Sequence, residues 1–319
     1  MMAYKGFVTS QYGTYDFNHD EHNMWAIEGR DSLRVNDHHR VTFGAEYVKD
    51  KVAGTGLGSN GDGVHSITEN GTTKSSSEKT LSSYAAYLQD EIEYGKWFIV
   101  PAIRYDHHSA YGSHTSPKIG VTYNATDHFR IKANYGDGFK APSVSQLYYD
   151  LAMQMGRNWV HLTGNPNLKP EKSKSWDLGV EVEFGKGYGS LTYFDNDVDN
   201  LIASIYKGKD GRYDLYRYEN VNKARIKGLE NTLGYRFNDT LEFKVTSTLL
   251  DAKDTSAGKD LTQRARLSQI YQLIYDDHKD TGWSAVLWNQ LDYKFVTGKT
   301  WEKSGESVKK SYSLTNFSL

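Results

Sequence analysis

The sequence predicts an all-β fold, an antiparallel transmembrane β-barrel. Three observations carry that prediction. Apolar and polar residues alternate with period two over long stretches, which sorts them onto opposite faces of strands and would scatter them around a helix. Short polar turns alternate with longer polar loops. Finally, the composition couples 24 tyrosines and 29 glycines to only 5 prolines, with 13% aromatics in a chain that is 38% hydrophobic. A soluble domain fills its core with more aliphatic side chains. A wall with aromatics on one side and water on the other gives these numbers.

From the N-terminus, residues 4–11 form the first candidate strand. Val41, Phe43, Ala45 and Tyr47 then mark one apolar face, and a strand follows over 80–94. Trp97, Ile99, Pro101, Ile103 and Tyr105 continue the pattern, as do Ile119, Val121 and Tyr123. Phe129, Ile131, Ala133 and Tyr135 alternate with His128, Arg130, Lys132 and Asn134. Trp176, Leu178, Val180, Val182 and Phe184 alternate with Ser175, Asp177, Gly179, Glu181 and Glu183. Residues 311–319 close the series. Turns fall at 36–38, 95–96, 124–127, 185–187, 238–239 and 278–281. Loops fall at 13–21, 54–79, 110–113, 139–172, 205–213, 255–263 and 297–311. About 14 strands result, most longer than the usual ~6 residues.

Long strands, short turns at one end and long loops at the other describe an outer-membrane barrel. In lipid every backbone polar group needs a partner, so such strands belong in a closed ring, and an open sheet would leave two edges unsatisfied. Tyr84, Tyr94, Trp97, Tyr105, Tyr123, Tyr135 and Trp176 sit at strand ends, where half-polar rings favour the interface. Asp90 is a misfit, falling on the apolar face of 80–94.

Other classes drop out. Basic and acidic side chains number 38 and 40, a formal charge of −2, whereas nucleic-acid binders are basic. No cysteine is present, which removes thiolate metal sites and cysteine nucleophiles. No run approaches the roughly 20 apolar residues of a membrane helix.

Three stretches carry a family resemblance: Tyr135-Gly136-Asp137-Gly138-Phe139-Lys140-Ala141-Pro142-Ser143; Gly164-Asn165-Pro166-Asn167-Leu168-Lys169-Pro170-Glu171; and Asn220-Val221-Asn222-Lys223-Ala224-Arg225-Ile226-Lys227-Gly228-Leu229-Glu230. In this order they resemble TonB-dependent outer-membrane receptors, those for catecholate siderophores and the colicin I receptor above all. The resemblance covers essentially the whole chain. It implies part of a 22-stranded barrel, filled in the family by an N-terminal plug. Residues 1–319 then read as a partial barrel domain without the plug. It also implies an iron-siderophore ligand, outer-membrane lipid and the TonB complex, acting through the plug, as partners.

Enzyme signatures are weak. Gly56-Leu57-Gly58-Ser59-Asn60-Gly61 matches a dinucleotide fingerprint, which needs a helix directly after it; a flexible outer loop is the better reading. Gly298-Lys299-Thr300 lacks the glycine of a phosphate loop, since Tyr293 holds that position. Glu91 and Glu93 share a strand face and read as solvated lumen wall. His107, His108 and His114 flank one short loop, but adjacent strand positions point to opposite faces. No metal site, cofactor or catalytic residue is expected.

Loop 139–172 is the richest candidate for ligand binding. Tyr148, Tyr149, Arg157, Trp159 and His161 offer stacking, cation–π contact and charge-assisted hydrogen bonds. Ferric catecholates are anionic and aromatic, and so complementary. Haem receptors of the family carry a histidine between a Phe-Arg-Ala-Pro box and an Asn-Pro-Asn-Leu box. Here Phe139, Lys140, Ala141 and Pro142 stand in the first box, and Asn165, Pro166, Asn167 and Leu168 in the second. His161 lies between them, with Lys140 replacing arginine, and neutral imidazole ligates haem iron. The favoured expectation is a siderophore receptor energised through TonB, with haem as the alternative ligand. A soluble or surface-attached β-rich adhesin is the alternative of a different class.

Overall fold

The computed structural model describes residues 2–9, 15–155, 158–221, 223–256, 258–261, 265–277, 282–296 and 307–318. Alternation becomes strand almost throughout. The chain runs β1 (Met2–Thr9), β2 (Tyr15–Arg34), β3 (His39–Gly54), β4 (Asp62–Glu69), β5 (Thr72–Tyr94), β6 (Trp97–His108), β7 (Gly112–Thr126) and β8 (Phe129–Lys140). A short helix α1 (Val144–Tyr148) precedes β9 (Asp150–Met155) and β10 (Asn158–Thr163). Then come β11 (Glu171–Phe184), β12 (Gly187–Asp199), β13 (Ile202–Asp210), β14 (Tyr213–Asn220), β15 (Ala224–Arg236) and β16 (Leu241–Asp254). The chain ends with β17 (Lys259–Asp260), β18 (Leu267–Asp276), β19 (Gly282–Val296) and β20 (Ser307–Ser318).

Fourteen strands form one curved antiparallel wall in the order β1-β2-β3-β5-β6-β7-β8-β11-β12-β15-β16-β18-β19-β20, with β4 attached to β5 and β17 to β16. Among the described residues β1 and β20 each have one neighbour, so the sheet is open. Register fixes the faces. Phe43 opposes Leu88 and Tyr47 opposes Tyr84. Leu178 opposes Tyr193, and Leu229 opposes Leu249. These side chains, exposed except for the half-buried Tyr193, make the lipid-facing belt. The alternate positions carry Glu46, Arg104, Arg130, Lys132 and Glu181, linked by Arg104–Glu46 (2.7 Å), Arg130–Glu181 (3.3 Å) and Lys132–Glu181. That is a lumen wall. Glu91 shares this face and accepts from Gln89.

The short turns use turn chemistry. Gly95 and Gly185 take φ of 59°, the left-handed backbone that a tight hairpin demands and glycine adopts freely. Asn36 Oδ1 accepts the amides of His38 and His39, and Asn238 Oδ1 those of Thr240 and Leu241. Asparagine thus closes both turns by mimicking a backbone carbonyl. The turn expected at 278–281, residues 297–306 and Gly298-Lys299-Thr300 lie outside the described residues. Asp90 is on the lipid-facing side beside the 35–38 turn, and His39 Nδ1 lies 2.6 Å from its Oδ2. A neighbouring imidazole therefore answers the carboxylate at the interface.

The opposite ends depart from the expectation of irregular loops. β5 is 23 residues long, far beyond the 9–11 that span a bilayer. It extends the wall outward and pairs there with β4. Segment 205–213 belongs to a β13–β14 hairpin. A second sheet, ordered β13-β14-β10-β9, forms above the wall, with β10 parallel to β14. Its central pairing joins segments about 50 residues apart, so no local periodicity announces it. The principal buried apolar cluster also lies here: Val52, Leu57, Leu81, Val144, Leu147, Leu168 and Ile202. Val52 and Leu81 come from the outer ends of β3 and β5, and the outer loops fold onto them to bury the cluster.

Candidate ligand-binding site

The fingerprint-like Gly56-Leu57-Gly58 lacks the helix that a dinucleotide site needs directly after it. Thr55–Leu57 is a single 3-10 turn, and β4 follows it instead of a helix. Leu57 is fully buried, and the Gly56 N–H donates to Asp20 Oδ1 at 2.8 Å. A side chain at Gly56 would press on that carboxylate. The segment is a clasp between the β2–β3 extension and α1.

The two boxes of the resemblance act as bolts for the outer loops. Lys140 Nζ pairs with Glu171 Oε2 at 3.2 Å, and Glu171 Oε1 accepts the Ile202 N–H at 2.9 Å. One carboxylate therefore ties the end of β8 to β13. Ala141 and the fully buried Pro142 lead into Ser143. Ser143 and Gln146 make a reciprocal capping box at the start of α1, satisfying two otherwise unpaired amides. Asn165 Oδ1 accepts the Asn167 N–H, the Asn165 N–H donates to Gln146 O, and the Leu168 N–H donates to Asn165 O. Pro166 and Asn167 are exposed at this turn, whereas Leu168 is inserted into the apolar cluster. Asn220 supplies the third bolt. Its Oδ1 accepts the Lys169 N–H and its Nδ2 donates to Lys169 O and Asn200 O.

Phe139 stacks on His114 with ring centres 4.8 Å apart. Lower on the wall, Gly228 faces the lumen opposite Phe194. A Cβ there would lie 2.9 Å from the Phe194 ring and overlap the Leu249 carbonyl. Glycine thus lets the aromatic lie flat over the strand. Glu230, two residues on, is exposed on the same face.

Of the loop candidates, Tyr148 and Tyr149 pack on the apolar cluster. Lys79 Nζ lies 5.1 Å from the centre of the Tyr148 ring, and Asn60 donates to the Tyr148 carbonyl. Burial, and to a smaller degree Asp20 and Tyr218, raises the Tyr149 phenol above its ordinary value. Burial likewise raises Tyr111 and Tyr218 in the same cluster. All three are neutral phenols at neutral pH. Arg157 lies outside the described residues.

Trp159 and His161 alternate on β10, on the face opposite the buried Val160. The Arg212 guanidinium sits 3.9 Å from the Trp159 ring centre and 5.2 Å from that of Tyr213. Trp159 meets Tyr213 edge-on at 5.8 Å, and His161 meets it at 6.3 Å. His161 Nε2 is 2.6 Å from Asp150 Oδ1 on β9. Arg212 and Tyr213 lie in a stretch that reads as plain polar loop; only the parallel β10–β14 pairing brings them to Trp159. His107 stacks on Tyr84 and His114 on Phe139, while His108 is tilted against Tyr111. Among the described residues no group of three potential ligands could hold a metal ion.

Residues 3–319 match the family model described as TonB dependent receptor-like, beta-barrel. The chain belongs to this family. TonB-dependent receptors of this kind reside in the outer membrane, which agrees with the lipid-facing belt. Among curated relatives, a vitamin B12 transporter (BtuB) of Photobacterium profundum is 30% identical over 210 residues, covering 66% of this chain and 32% of its own length. The ferric enterobactin receptor of Pseudomonas aeruginosa is 29% identical over 269 residues, covering 77% and 36%. A probable TonB-dependent siderophore receptor (PirA) of Acinetobacter baumannii is 29% identical over 288 residues, covering 80% and 36%. The chain thus spans about a third of the length of these relatives. A crystal structure of a mutant Pseudomonas aeruginosa ferric enterobactin receptor superposes with a TM-score of 0.73 at 23% identity, covering 97% of this chain and 47% of the other. That likeness shows the shared fold.

Proposed function

We propose that this barrel segment belongs to a receptor that captures a ferric catecholate siderophore at its outer loops and admits it with energy delivered through TonB. One observation carries the reading: the Trp159–Arg212–Tyr213 cluster at the outer end of the wall. Flat π-faces beside a guanidinium suit an anionic, aromatic ligand by stacking and by charge-assisted hydrogen bonds. The relatives named as ferric enterobactin and siderophore receptors support it. The work is transport and not catalysis.

Haem keeps one support, the position of His161 between the two boxes. Its Nε2 is held by Asp150, so ligation through that atom requires the contact to break. The vitamin B12 transporter among the relatives makes a corrinoid the third cargo to compare. The test is uptake of radio-iron, as a ferric catecholate, by cells producing Trp159→Ala or Arg212→Ala protein. Each variant is expected to weaken binding by roughly fivefold, in line with loss of one cation–π contact of about 1 kcal/mol at an exposed site. Unchanged catecholate uptake with diminished haem or cobalamin uptake overturns the assignment.

A further inference from the structure

The lipid-facing side changes character abruptly near the outer ends of β11, β12, β15 and β16. Register places Leu178, Tyr193, Leu229 and Leu249 in one row across these strands. One step outward the row reads Trp176, Asp195, Lys227 and Asp251; the next reads Lys174, Asp197, Arg225 and Lys253. Each step is two residues, about 7 Å along a strand. Apolar wall therefore becomes charged wall within the thickness of one headgroup layer.

The charges are not equally satisfied. Arg225 grips Asp195 through two nitrogens. Lys227 and Lys253, by contrast, share the single carboxylate of Asp251, at 3.8 and 3.3 Å, longer than a tight charge-assisted hydrogen bond. Among the described residues neither Lys174 nor Arg266 has an ion pair. A groove of about 530 Å³ runs here, with Tyr193, Leu229 and Leu249 as apolar lining and Lys227, Lys253 and Arg266 as cations. Asp251 and Asp260 face the same groove, which leaves one cation in excess among its described lining residues.

We propose that this groove binds a lipid of the outer leaflet with a phosphorylated headgroup. Its acyl chain lies along Leu229 and Leu249, and its phosphate is held by Lys227 and Lys253. The cations stand at headgroup depth beside an apolar floor, the geometry an anionic amphiphile requires and a free phosphate does not. Basic side chains at a membrane surface attract anionic headgroups in this way.

The test uses the protein as its source cell makes it, purified from the outer membrane, with bound lipid phosphate counted by native mass spectrometry. The double variant Lys227→Gln with Lys253→Gln is expected to retain at least threefold less phosphorylated lipid. The double arginine variant is expected to keep it, and Lys244→Gln, on the lumen wall, to leave it unchanged. Equal retention in all variants overturns the proposal, as does equal loss in Lys244→Gln. A second measurement covers a glutamine variant that fails to assemble. Wild-type protein in phosphatidylcholine bilayers is exposed to spin-labelled phosphatidic acid or spin-labelled phosphatidylcholine. Several-fold preference for the acid, unaltered by inorganic phosphate, is expected; no preference overturns the proposal.

Discussion

Leu57→Ala tests whether the outer loops are a packed unit or independent loops. Leu57 is 0% exposed and belongs to the cluster that holds Val144, Leu147 and Leu168. Truncation removes about three carbons, a transfer loss of about 2.4 kcal/mol at ~0.8 per methylene. The cavity left behind brings the expected cost to about 3 kcal/mol, near the lower end of measured Leu→Ala values. The wall does not depend on this cluster, so the cost falls on local opening and not on global unfolding. At tenfold per ~1.4 kcal/mol, the clasp opens roughly 140-fold more often. Hydrogen exchange read by mass spectrometry on peptides covering 53–60 and 144–149 measures it. Exchange in both is expected to accelerate by about two orders of magnitude, with β15 unchanged. A control, Leu233→Ala, alters a lipid-facing residue that is 58% exposed and should leave both loop peptides as they were. Acceleration confined to 53–60, or spread equally into β15, would refute the reasoning.

Two further outcomes follow from the same geometry. Burial holds the Asp20 carboxyl above its ordinary 3.8, against lowering by the Gly56 N–H, Lys74 and His19. The closed clasp therefore binds a proton more readily than the opened one, and its protection is greatest at low pH and falls as pH rises through the raised value; exchange of 53–60 measured against pH should show this decline, and Asp20→Asn should flatten it. Gly228→Val is expected to lower the yield of folded protein, since its side chain would overlap the Leu249 carbonyl and crowd Phe194. Phe194→Ala should restore only part of that yield, because the carbonyl stays in place; full restoration in a heat-modifiability gel would contradict the close approach of the backbones.

The wall was legible because period-two alternation is a local signal. Phe129 to Tyr135 and Trp176 to Phe184 each declare their own face, and register only has to join them. The turn at 36–38 was legible from its asparagine. Loop architecture was not. Arg212 and Tyr213 sit in a polar run whose meaning depends on a parallel pairing with β10 far away in the chain. Leu57 sits between glycines that mimic a nucleotide fingerprint, and only the structure shows that its neighbour's amide is spent on Asp20. The family boxes flank the outer loops, and most of their side chains turn out to bolt those loops together: Lys140 to Glu171, Asn165 to its own turn, and Asn220 to Lys169. The aromatic and cationic groups available to a ligand lie between those bolts. Asp90 looked wrong on an apolar face because its partner, His39, belongs to another strand.

The most direct test of the central claim is ligand binding by native outer membranes from iron-starved source cells, with and without the gene for this chain. Radio-iron presented as a ferric catecholate should bind saturably to the membranes that contain the protein, and unlabelled ferric catecholate should displace it while haem and cobalamin do not. Identical iron binding in the two membranes, or displacement by haem or cobalamin at lower concentration than by the catecholate, would contradict the account.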